Sequence, residues 1–340
     1  MFIFWVEVSL QIGMGHFVES LDLAQYLLDL RESVHFILNP YPPACSELHK
    51  RKISFTECDI DALDEISLFL RKKKSKCVII NHRSVSLNSL RVLNHEDQTV
   101  VLIDQFGGKR VICDLLINRS IVPEWLKYDF VGHQPICRFG GDYAILDNTY
   151  EALHEREKAF LENENTVLVS MGGVDRTGAT LRIIDAMKSV GNVSKEIITG
   201  SGFPHNAKLL RMRENLNNSS FTFFQGVDDL GKRMSKADIV ISAGGNTIYE
   251  MACVGAPGII LWEDEHEYIQ GKAFAEKGVV KCLGNGITTP VKVISNSIKA
   301  LLKDIDRRKY MSQCGRKMVD GHGKNRIANE IIKLAERTLD

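Results

Sequence analysis

Three features that mark whole classes of protein are missing from this chain of 340 residues. Lysine and arginine number 43, as do aspartate and glutamate, so the chain lacks the basic surplus with which nucleic-acid-binding proteins neutralise phosphates. None of its eight cysteines forms a CxxC pair, which argues against a zinc site and a secreted disulfide framework. No window approaches the roughly 18 apolar residues of a membrane-spanning helix. We therefore expect neither nucleic-acid partners nor a transmembrane segment.

The apolar start of the chain, Met1 to Leu10, also lacks the marks of a leader peptide. It has no basic region and no cleavage site of small residues, and Glu7 interrupts it. A buried first strand explains it better. Hydrophobic residues make up 44% of the chain and charged residues 25%, an ordinary globular composition whose length fits two domains. These features predict a soluble, cytoplasmic protein.

Short β-branched or aromatic runs alternate with longer segments of helical period, a pattern typical of parallel α/β architecture. The strands predicted in the first half are Phe2 to Val8, Val34 to Leu38, Lys76 to Ile80, Thr99 to Ile103 and Leu115 to Ile117. Those predicted in the second half are Thr166 to Ser170, Glu196 to Ile198, Phe221 to Phe224, Ile239 to Ile241, Gly258 to Leu261 and Val279 to Leu283. Helices are predicted from Phe17 to Leu30 and from Ala179 to Ser189.

The alternation restarts after Asp147 to Asn165, a segment rich in Glu and Asn that suits a connection between domains. The sequence therefore predicts two α/β domains in series, an N-terminal one over residues 1–150 and a C-terminal one over residues 151–340. The basic run Arg71 to Lys74 is interpreted as the solvated end of a helix.

The first candidate motif joins the first strand to the first helix and contains Gly13, Gly15 and His16. Two glycines allow close approach to a ligand, and the helix that follows offers N–H donors to an anion. Val18 stands where a dinucleotide fingerprint has a third glycine, and Asn39 follows the second strand in place of an acid, so NAD binding is disfavoured. A histidine at this turn is placed to act as a general base. A capping or merely polar role stays open.

The second motif, Ser170 to Asp175, contains Gly172 and Gly173 at the end of the first strand of the second half. Asp175 is placed to cap the helix that follows. A plain turn and a ligand contact explain this motif equally well.

The third motif, Ile241 to Glu250, is the most informative. A buried strand leads into Gly244 and Gly245, then into the hydrogen-bonding side chains of Asn246 and Thr247, and Glu250 follows in a predicted helix. Glycine backbone and a hydroxyl at a helix start favour a pyrophosphate site. Glu250 has the reach to accept hydrogen bonds from ribose hydroxyls, although acids are also frequent at helix starts.

Two acidic segments are not interpreted as metal sites. Four acids surround His266 between Trp262 and Gln270, but their spacing fits neither HExxH nor a facial triad. Asp59 and Asp61 form a DxD, a match too short to carry weight in a chain with 43 acids.

Taken in order, several motifs resemble the PseG/SpsG group, which contains the UDP-sugar hydrolase of pseudaminic acid biosynthesis and related polysaccharide-biosynthesis proteins. The resemblance covers nearly the whole chain. The motifs are Gly13-x-Gly15-His16, Ile103-Asp104, Cys113 to Asn118, Gly141 to Leu146, Val169 to Asp175, Ala243 to Glu250, and Asp320-Gly-x-Gly323-x-x-Arg326.

The resemblance implies a GT-B-like fold, with two Rossmann-like doubly wound domains and a UDP-sugar in a central cleft. It implies that the C-terminal domain binds UDP and that His16 is the catalytic base, with no metal and no cofactor. The last segment, Lys324 to Leu339, would then be a helix that crosses back to the N-terminal domain. The substrate-binding residues it implies are Gly13, Gly15, Gly172, Gly173, Val227 (for uracil), Gly244, Gly245, Asn246 and Thr247 (for the diphosphate), Glu250 (for ribose) and His266.

The chain departs from the usual residues of the group at several places around the expected sugar. Glu19 replaces an arginine, Asn81-His82 an Asp-aromatic pair, Gln105 an acid, and His266-Glu267 an Asn-Gln pair.

Three functions therefore stay open. The first is hydrolysis of a UDP-linked amino or deoxy sugar to free sugar and UDP, in surface or flagellar glycan (nonulosonic acid) biosynthesis. The second is a GT-B glycosyltransferase that uses a UDP-sugar donor in polysaccharide biosynthesis. The third is a nucleotide-sugar binding protein with impaired catalysis.

Overall fold

The computed structural model describes residues 1–9, 13–59, 61–94, 98–160, 165–191, 193–216 and 220–337. The chain forms two compact units. Unit 1 consists of Met1–Asp147 together with His322–Asp340, and unit 2 of Asn148–Gly321. Within the described ranges, no helix is both long enough and apolar enough to cross a membrane.

Unit 1 is built on a parallel sheet. Its strands are β1 (Phe2–Val6), β2 (Val34–Leu38), β3 (Ser54–Glu57), β4 (Cys77–Asn81), β5 (Thr99–Asp104), β6 (Lys109–Val111), β7 (Leu115–Asn118), β8 (Tyr128–Phe130) and β9 (Ile136–Phe139). Seven of them form the main sheet in the order β3-β2-β1-β4-β5-β7-β9, and β6 pairs separately with β8. Its helices are α1 (Gly15–Asp29), α2 (Pro42–Lys50), α3 (Leu63–Lys73) and α4 (Leu87–Asn94).

Both faces of this main sheet are buried, as expected of a parallel sheet covered by helices. Along β1, Phe2, Phe4 and Val6 belong to one core cluster, whereas Ile3 and Trp5 belong to another. The first cluster includes apolar side chains of α1 and α2, and the second includes those of α3 and α4. This arrangement explains why the sequence of β1 is continuously apolar instead of alternating.

The last helix, α13 (Gly323–Arg337), completes the core of unit 1. Its residues Ile327, Ala328, Ile331 and Ala335 are at most 1% exposed and join the cluster that contains Phe4. The apolar face that periodicity indicates in the final segment is therefore buried within unit 1. Leu339, the end of the predicted helix, lies outside the described residues.

Unit 2 repeats the architecture. Its strands are β10 (Thr166–Ser170), β11 (Ser194–Thr199), β12 (Phe221–Gln225), β13 (Ile239–Ser242), β14 (Gly258–Trp262) and β15 (Val280–Asn285). They form one parallel sheet in the order β12-β11-β10-β13-β14-β15. The helices are α5 (Asn148–His154), α6 (Ala179–Met187), α7 (Asn206–Asn215), α8 (Leu230–Lys236), α9 (Thr247–Cys253), α10 (Glu265–Glu276), α11 (Val291–Lys303) and α12 (Ile305–Met318).

The predicted parallel α/β class is confirmed, and every predicted strand occurs. The first strand, however, ends at Val6 and not at Val8. The first helix begins at Gly15, two residues before the predicted start, so His16 lies within it. The basic run Arg71 to Lys74 does end a helix, because α3 stops at Lys73.

Some features of the fold were not expected from the sequence. The strands β3, β6, β8 and β9 were not predicted. The segment from Asp147 to Asn165 is not wholly a connection, because α5 occupies its first part and buries Tyr150 and Leu153 in unit 2. Residues 161–164 of that segment lie outside the described ranges.

Candidate functional site

The first glycine motif leads to the point in unit 1 where the strand order reverses. β2 and β3 lie on one side of β1, whereas β4 and the later strands of the main sheet lie on the other. Open α/β sheets bind ligands beyond the carboxyl ends of the strands at such a point. Gly13, with a φ of 81°, leads into α1, and Asn81 ends β4. Ile12, the residue before Gly13, lies outside the described residues.

His16 lies in the first turn of α1 and is held by the neighbouring strand. Its Nδ1 atom is 2.9 Å from Oδ1 of Asn81, and both side chains are buried. The Asn81 Nδ2 atom donates to the His16 carbonyl at 3.0 Å and to Oγ of Ser20 at 3.1 Å. No side chain caps the start of α1, so the alternative of a capping histidine is not supported.

The His16 imidazole is neutral at neutral pH. Burial lowers its pKa to about 4, outweighing the upward effect of the Asn81 hydrogen bond. The charges of Arg119 and Arg83 lower the pKa further, whereas Asp104 raises it. A buried, unprotonated imidazole is in the state that a general base requires before reaction.

Two of the departures from the family pattern contact each other. Glu19, on α1, accepts a hydrogen bond from Nε2 of Gln105 at 3.2 Å and forms a salt bridge with Arg119. Gln105 directly follows β5, and Arg119 directly follows β7. Glu19 and Arg119 are buried, at 5% and 8% exposed. The negative charge of Glu19 on α1 is therefore balanced by Arg119, which follows β7 at the carboxyl edge of the same sheet.

Asp104, the last residue of β5, is held by three donors. It accepts hydrogen bonds from the Tyr128 hydroxyl at 2.7 Å and the Gly107 backbone at 3.0 Å, and its other oxygen lies 2.6 Å from Nζ of Lys109. Burial, followed by this carboxylate, raises the pKa of Tyr128 well above its usual range. These contacts occupy the carboxylate within unit 1, so its charge is balanced locally.

His82, the second residue of another departure, serves the core. It packs edge-on against Trp5, with ring centroids 5.2 Å apart, and its Nδ1 lies 3.3 Å from the Glu7 carboxylate. Since Trp5 belongs to the cluster under α3 and α4, His82 lies on that face, whereas Asn81 contacts α1. The adjacent residues Asn81 and His82 thus have separate roles.

In unit 2, the third motif also follows the point where strand order reverses, between β10 and β13. The loop after β13 is fixed by Gln270 of α10, whose Nε2 donates to the carbonyls of Gly244 (2.6 Å) and Gly245 (3.0 Å). The Tyr249 hydroxyl donates to Oε1 of the same Gln270 at 3.1 Å. Gly244 has a φ of 105°, a conformation that favours glycine. This loop has a defined shape before any ligand binds.

The other glycine turns of unit 2 lie at the same edge of the sheet, after β10 and β12. The Gly173 carbonyl accepts a hydrogen bond from the Gly202 N–H at 3.2 Å, and the Gly226 N–H donates to Thr199 at 3.0 Å. A Cβ on Gly172 or Gly173 would meet no atom within 4 Å. Gly173 also lacks a positive φ, so neither packing nor conformation accounts for glycine there.

Carboxyl groups with raised pKa values gather beside these turns. Burial raises the pKa of Glu263 to about 7, helped by its contact with Asp175, and burial also raises that of Glu267 to about 7. Glu267 Oε2 accepts a hydrogen bond from the Glu263 backbone at 2.8 Å. Asp175 caps α6, as predicted, by accepting from the backbones of Ala179 (2.8 Å) and Thr180 (3.0 Å). Among the described residues, no group of three or more His, Cys, Asp or Glu is arranged to hold a metal ion.

Comparison with known proteins identifies the relatives of this chain. Residues 183–330 match the glycosyltransferase family 28 C-terminal domain. The spore coat polysaccharide biosynthesis protein SpsG of Bacillus subtilis is 26% identical over 336 residues, covering 96% of each chain. The UDP-2,4-diacetamido-2,4,6-trideoxy-beta-L-altropyranose hydrolase of Campylobacter jejuni is 24% identical, covering 73% of this chain and 86% of its own. The chain is thus similar to proteins of the PseG/SpsG group.

The fold of this chain matches a solved structure along nearly its whole length. MurG of Acinetobacter baumannii superposes with a TM-score of 0.71, covering 98% of this chain and 99% of its own at 14% sequence identity. The predicted GT-B-like fold, with two Rossmann-like units, is confirmed. At this level of identity the likeness concerns the fold alone.

Within each unit, the predicted residues fall at the carboxyl edge of the sheet. Gly13, Gly15 and His16 lie together in unit 1. In unit 2, Gly172 and Gly173 follow β10, Val227 follows β12, and Gly244, Gly245 and Asn246 follow β13. Thr247 begins α9, where Glu250 is half-buried, and His266 is exposed at the start of α10.

Several residues of the candidate site were not predicted from the sequence. Arg119 and Gln270 carry no local motif, and Asn81 was noted only as a departure. Asn81 ends β4, Arg119 directly follows β7, and Gln270 lies on α10, the helix after β14. A position near the end of a strand is a weak signal on its own. Only the strand order brings them to His16, Glu19 and the glycine loop.

Proposed function

We propose that this chain is a nucleotide-sugar enzyme that hydrolyses a UDP-linked amino or deoxy sugar to the free sugar and UDP. The match to the glycosyltransferase family 28 C-terminal domain and the full-length likeness to a polysaccharide biosynthesis protein support nucleotide-sugar chemistry. The likeness to a UDP-sugar hydrolase over 73% of the chain supports water as the acceptor.

The observation that carries the proposal is the state of His16. Its imidazole is buried, has a pKa of about 4 and is held by Asn81 at the carboxyl edge of the main sheet of unit 1. In the proposed reaction, His16 takes a proton from water while the water oxygen bonds to the anomeric carbon of the sugar. The bond from that carbon to the diphosphate breaks at the same time, and UDP leaves with the electron pair.

Unit 2 holds the nucleotide in this proposal. The loop fixed by Gln270 offers Gly244, Gly245, Asn246 and Thr247 to the diphosphate, while Glu250 contacts the ribose and the Val227 backbone contacts the uracil. Two features of the turns support a ligand here. Gln270 draws both glycine carbonyls toward itself, away from an incoming anion, and Gly173 has no packing or conformational reason to be glycine.

The remaining predicted residues are assigned to the sugar and the diphosphate. Gly13 and Gly172 leave open space where a Cβ would stand. Gly15, which opens α1, and the exposed His266 complete this set. The enzyme would act in the biosynthesis of a surface or flagellar glycan.

A glycosyltransferase is the second candidate. It is favoured by the family 28 match over residues 183–330 and by the name of the Bacillus subtilis relative. His16 would then deprotonate an acceptor hydroxyl in place of water. A hydrolase releases UDP from its substrate alone, whereas a transferase needs the acceptor, so acceptor-dependent release separates the two.

The test combines calorimetry with an assay of free UDP. The purified protein is titrated with UDP, UDP-N-acetylglucosamine and CMP, and UDP release is then followed from a panel of UDP-linked amino and deoxy sugars. We expect His16→Ala to lower kcat about 100-fold while UDP affinity stays within about twofold, since a general base contributes to the chemical step. His133→Ala, which removes an exposed histidine of the same unit, is the control.

Three results would count against the proposal. Unchanged turnover by His16→Ala would remove the histidine from the mechanism. Failure to bind any nucleotide would mean that the glycine turns are structural. Tight UDP binding without turnover on the whole panel would favour the binding protein with impaired catalysis.

A further inference from the structure

The buried side chain of Asn81 makes three polar contacts, all of them to α1. It is 1% exposed at the carboxyl end of β4, and each polar atom of its side chain has a partner on α1. Nδ2 lies 3.0 Å from the His16 carbonyl and 3.1 Å from Ser20 Oγ, and Oδ1 lies 2.9 Å from His16 Nδ1. One amide therefore contacts both the backbone and the ring of the same histidine.

These contacts fix the orientation of the amide. A backbone carbonyl only accepts hydrogen bonds, so the group beside the His16 carbonyl must be the Asn81 NH₂. Ser20 Oγ donates its own proton to that carbonyl at 2.8 Å, which leaves the Ser20 oxygen to accept the second Asn81 N–H. The Asn81 oxygen is thereby left facing the imidazole.

The orientation of the amide determines which ring nitrogen of His16 carries the proton. The Asn81 oxygen has no hydrogen to give, so Nδ1 must be the donor across the 2.9 Å contact. In a neutral imidazole, one nitrogen carries the hydrogen and the other carries the lone pair. Nε2 is then the atom with the free electron pair.

We propose that Asn81 is a positioning residue that locks His16 in the Nδ1–H tautomer, so that Nε2 accepts the proton from the attacking water or hydroxyl. The inference rests on the proposed function for the role of the base, but the tautomer stands on the contacts of Asn81 alone. Because the amide is neutral, it orients the ring without the charge by which a carboxylate would raise the proton affinity of the ring.

The charges around His16 have opposing effects on its pKa. Arg119, after β7, and Arg83, after β4, lower its pKa, and Asp104, at the end of β5, raises it. Asp104 is balanced by Lys109, and Glu19, on the same helix as His16, is balanced by Arg119. Burial has the largest effect and, with an uncharged partner at Nδ1, leaves the pKa of His16 at about 4.

The first experiment measures the tautomer directly. In the full-length protein labelled with ¹⁵N-histidine, the one-bond and long-range ¹H–¹⁵N correlations of His16 are recorded at pH 7. They are assigned by the absence of these signals in His16→Ala. We expect a protonated Nδ1 and a pyridine-like Nε2. A protonated Nε2 in the wild-type protein would overturn the inference, whatever the activity of the enzyme.

The second experiment uses variants of Asn81. Asn81→Asp keeps an oxygen acceptor for Nδ1 but adds a charge, so we expect the acid limb of kcat/KM to move up by about one to three pH units. Asn81→Ala removes the orienting group, and we expect kcat to fall about tenfold or more with KM little changed. An unmoved acid limb in a folded Asn81→Asp protein would contradict the proposal.

Ser20→Ala is the matched control, because it removes one partner of Asn81 but leaves the contact with His16. We expect the tautomer and the acid limb to stay as in the wild-type protein. The outcomes separate the two proposals. If the Nδ1–H tautomer is found but His16→Ala keeps full turnover, the proposed function fails while the tautomer assignment stands.

Discussion

A carboxyl group buried beside other carboxyls lowers the stability of the fold once it ionises. Glu263 is such a group, with a pKa raised to about 7 by burial and by Asp175. The pKa of Glu263 in the folded protein lies above the unfolded value of 4.5. The protonated carboxyl therefore contributes its full stability to the fold below pH 4.5. That gain is lost as the pH rises through 7. The ionised Glu263 therefore costs stability at pH 8.

Glu263→Gln should remove this cost while its amide oxygen still accepts from the Thr177 hydroxyl, which lies 2.7 Å from the present carboxylate. We expect the variant to be more stable than the wild type by about 1–3 kcal/mol at pH 8 and nearly equal at pH 4.5. Urea unfolding at pH 4.5, 6, 7 and 8 measures the difference.

The control for this prediction is Glu214→Gln, which changes an exposed glutamate on α7. Its effect should be small and the same at every pH. If Glu263→Gln behaved like this control, the carboxyl would ionise as freely in the fold as in the unfolded chain.

Single residues with a local motif could be predicted from the sequence, and residues whose role depends on pairing could not. His16 follows two glycines after a strand, so its position is visible locally. Its partner Asn81 is 65 residues away, and the contact exists because β4 lies next to β1. Glu19 and Gln105 were noted only as departures around the expected sugar, and the contact between them arises from the order of β1, β4 and β5.

The loop between β13 and α9 offers a test in which two adjacent glycines behave differently. Gly245 has no positive φ, and a Cβ there would lie 3.4 Å from Oε1 of Glu267, an ordinary contact. We expect Gly245→Ala to fold normally but to weaken UDP binding about tenfold or more, because a methyl group would occupy space assigned to the diphosphate. Calorimetric titration with UDP measures the loss.

Gly244→Ala provides the contrast. At a φ of 105°, its Cβ would come within 2.9 Å of Ile260, so the substitution strains the loop and the core beneath it. We expect this variant to lose thermal stability as well as binding. Equal UDP affinity in Gly245→Ala and wild type would show that the ligand does not approach this glycine.

At the level of elements, every fully buried strand was predicted, whereas the four missed strands are largely half-buried or exposed. The five residues of β1 or β4 are all buried, so hydrophobic runs reveal them. The edge strand β3 has no buried residue, and β9 is half-buried throughout, so their sequences carry no such run. The helix α5 was hidden for a similar reason, because only Tyr150 and Leu153 of its seven residues are buried.

For the whole molecule, the position of α13 predicts which unit fails when this helix is weakened. Ile331 is fully buried in the core of unit 1, although it follows unit 2 in the sequence. We expect Ile331→Ala to cost about 2–5 kcal/mol, as large-to-small core substitutions do. Hydrogen exchange should then rise in β1 and β2, whereas β10 and β13 keep their protection.

Lys333→Ala, an exposed change two residues along α13, is the control and should leave exchange unchanged in both units. Equal loss of protection in both units of Ile331→Ala would mean that the core of unit 1 does not depend on α13 alone.

If UDP binds unit 2 as proposed, UDP at about 100 times its Kd should stabilise that unit by about 2.7 kcal/mol.

The return of α13 to unit 1 also determines the order in which the two units can fold during synthesis. All the strands of unit 2 emerge from the ribosome before the helix that completes the core of unit 1. At about 5–20 residues per second, translating unit 2 keeps unit 1 waiting for roughly ten to thirty seconds. Throughout that time the apolar side chains of α1 that later pack with α13 stay uncovered. Unit 2 is therefore translated while the core of unit 1 still lacks its last helix.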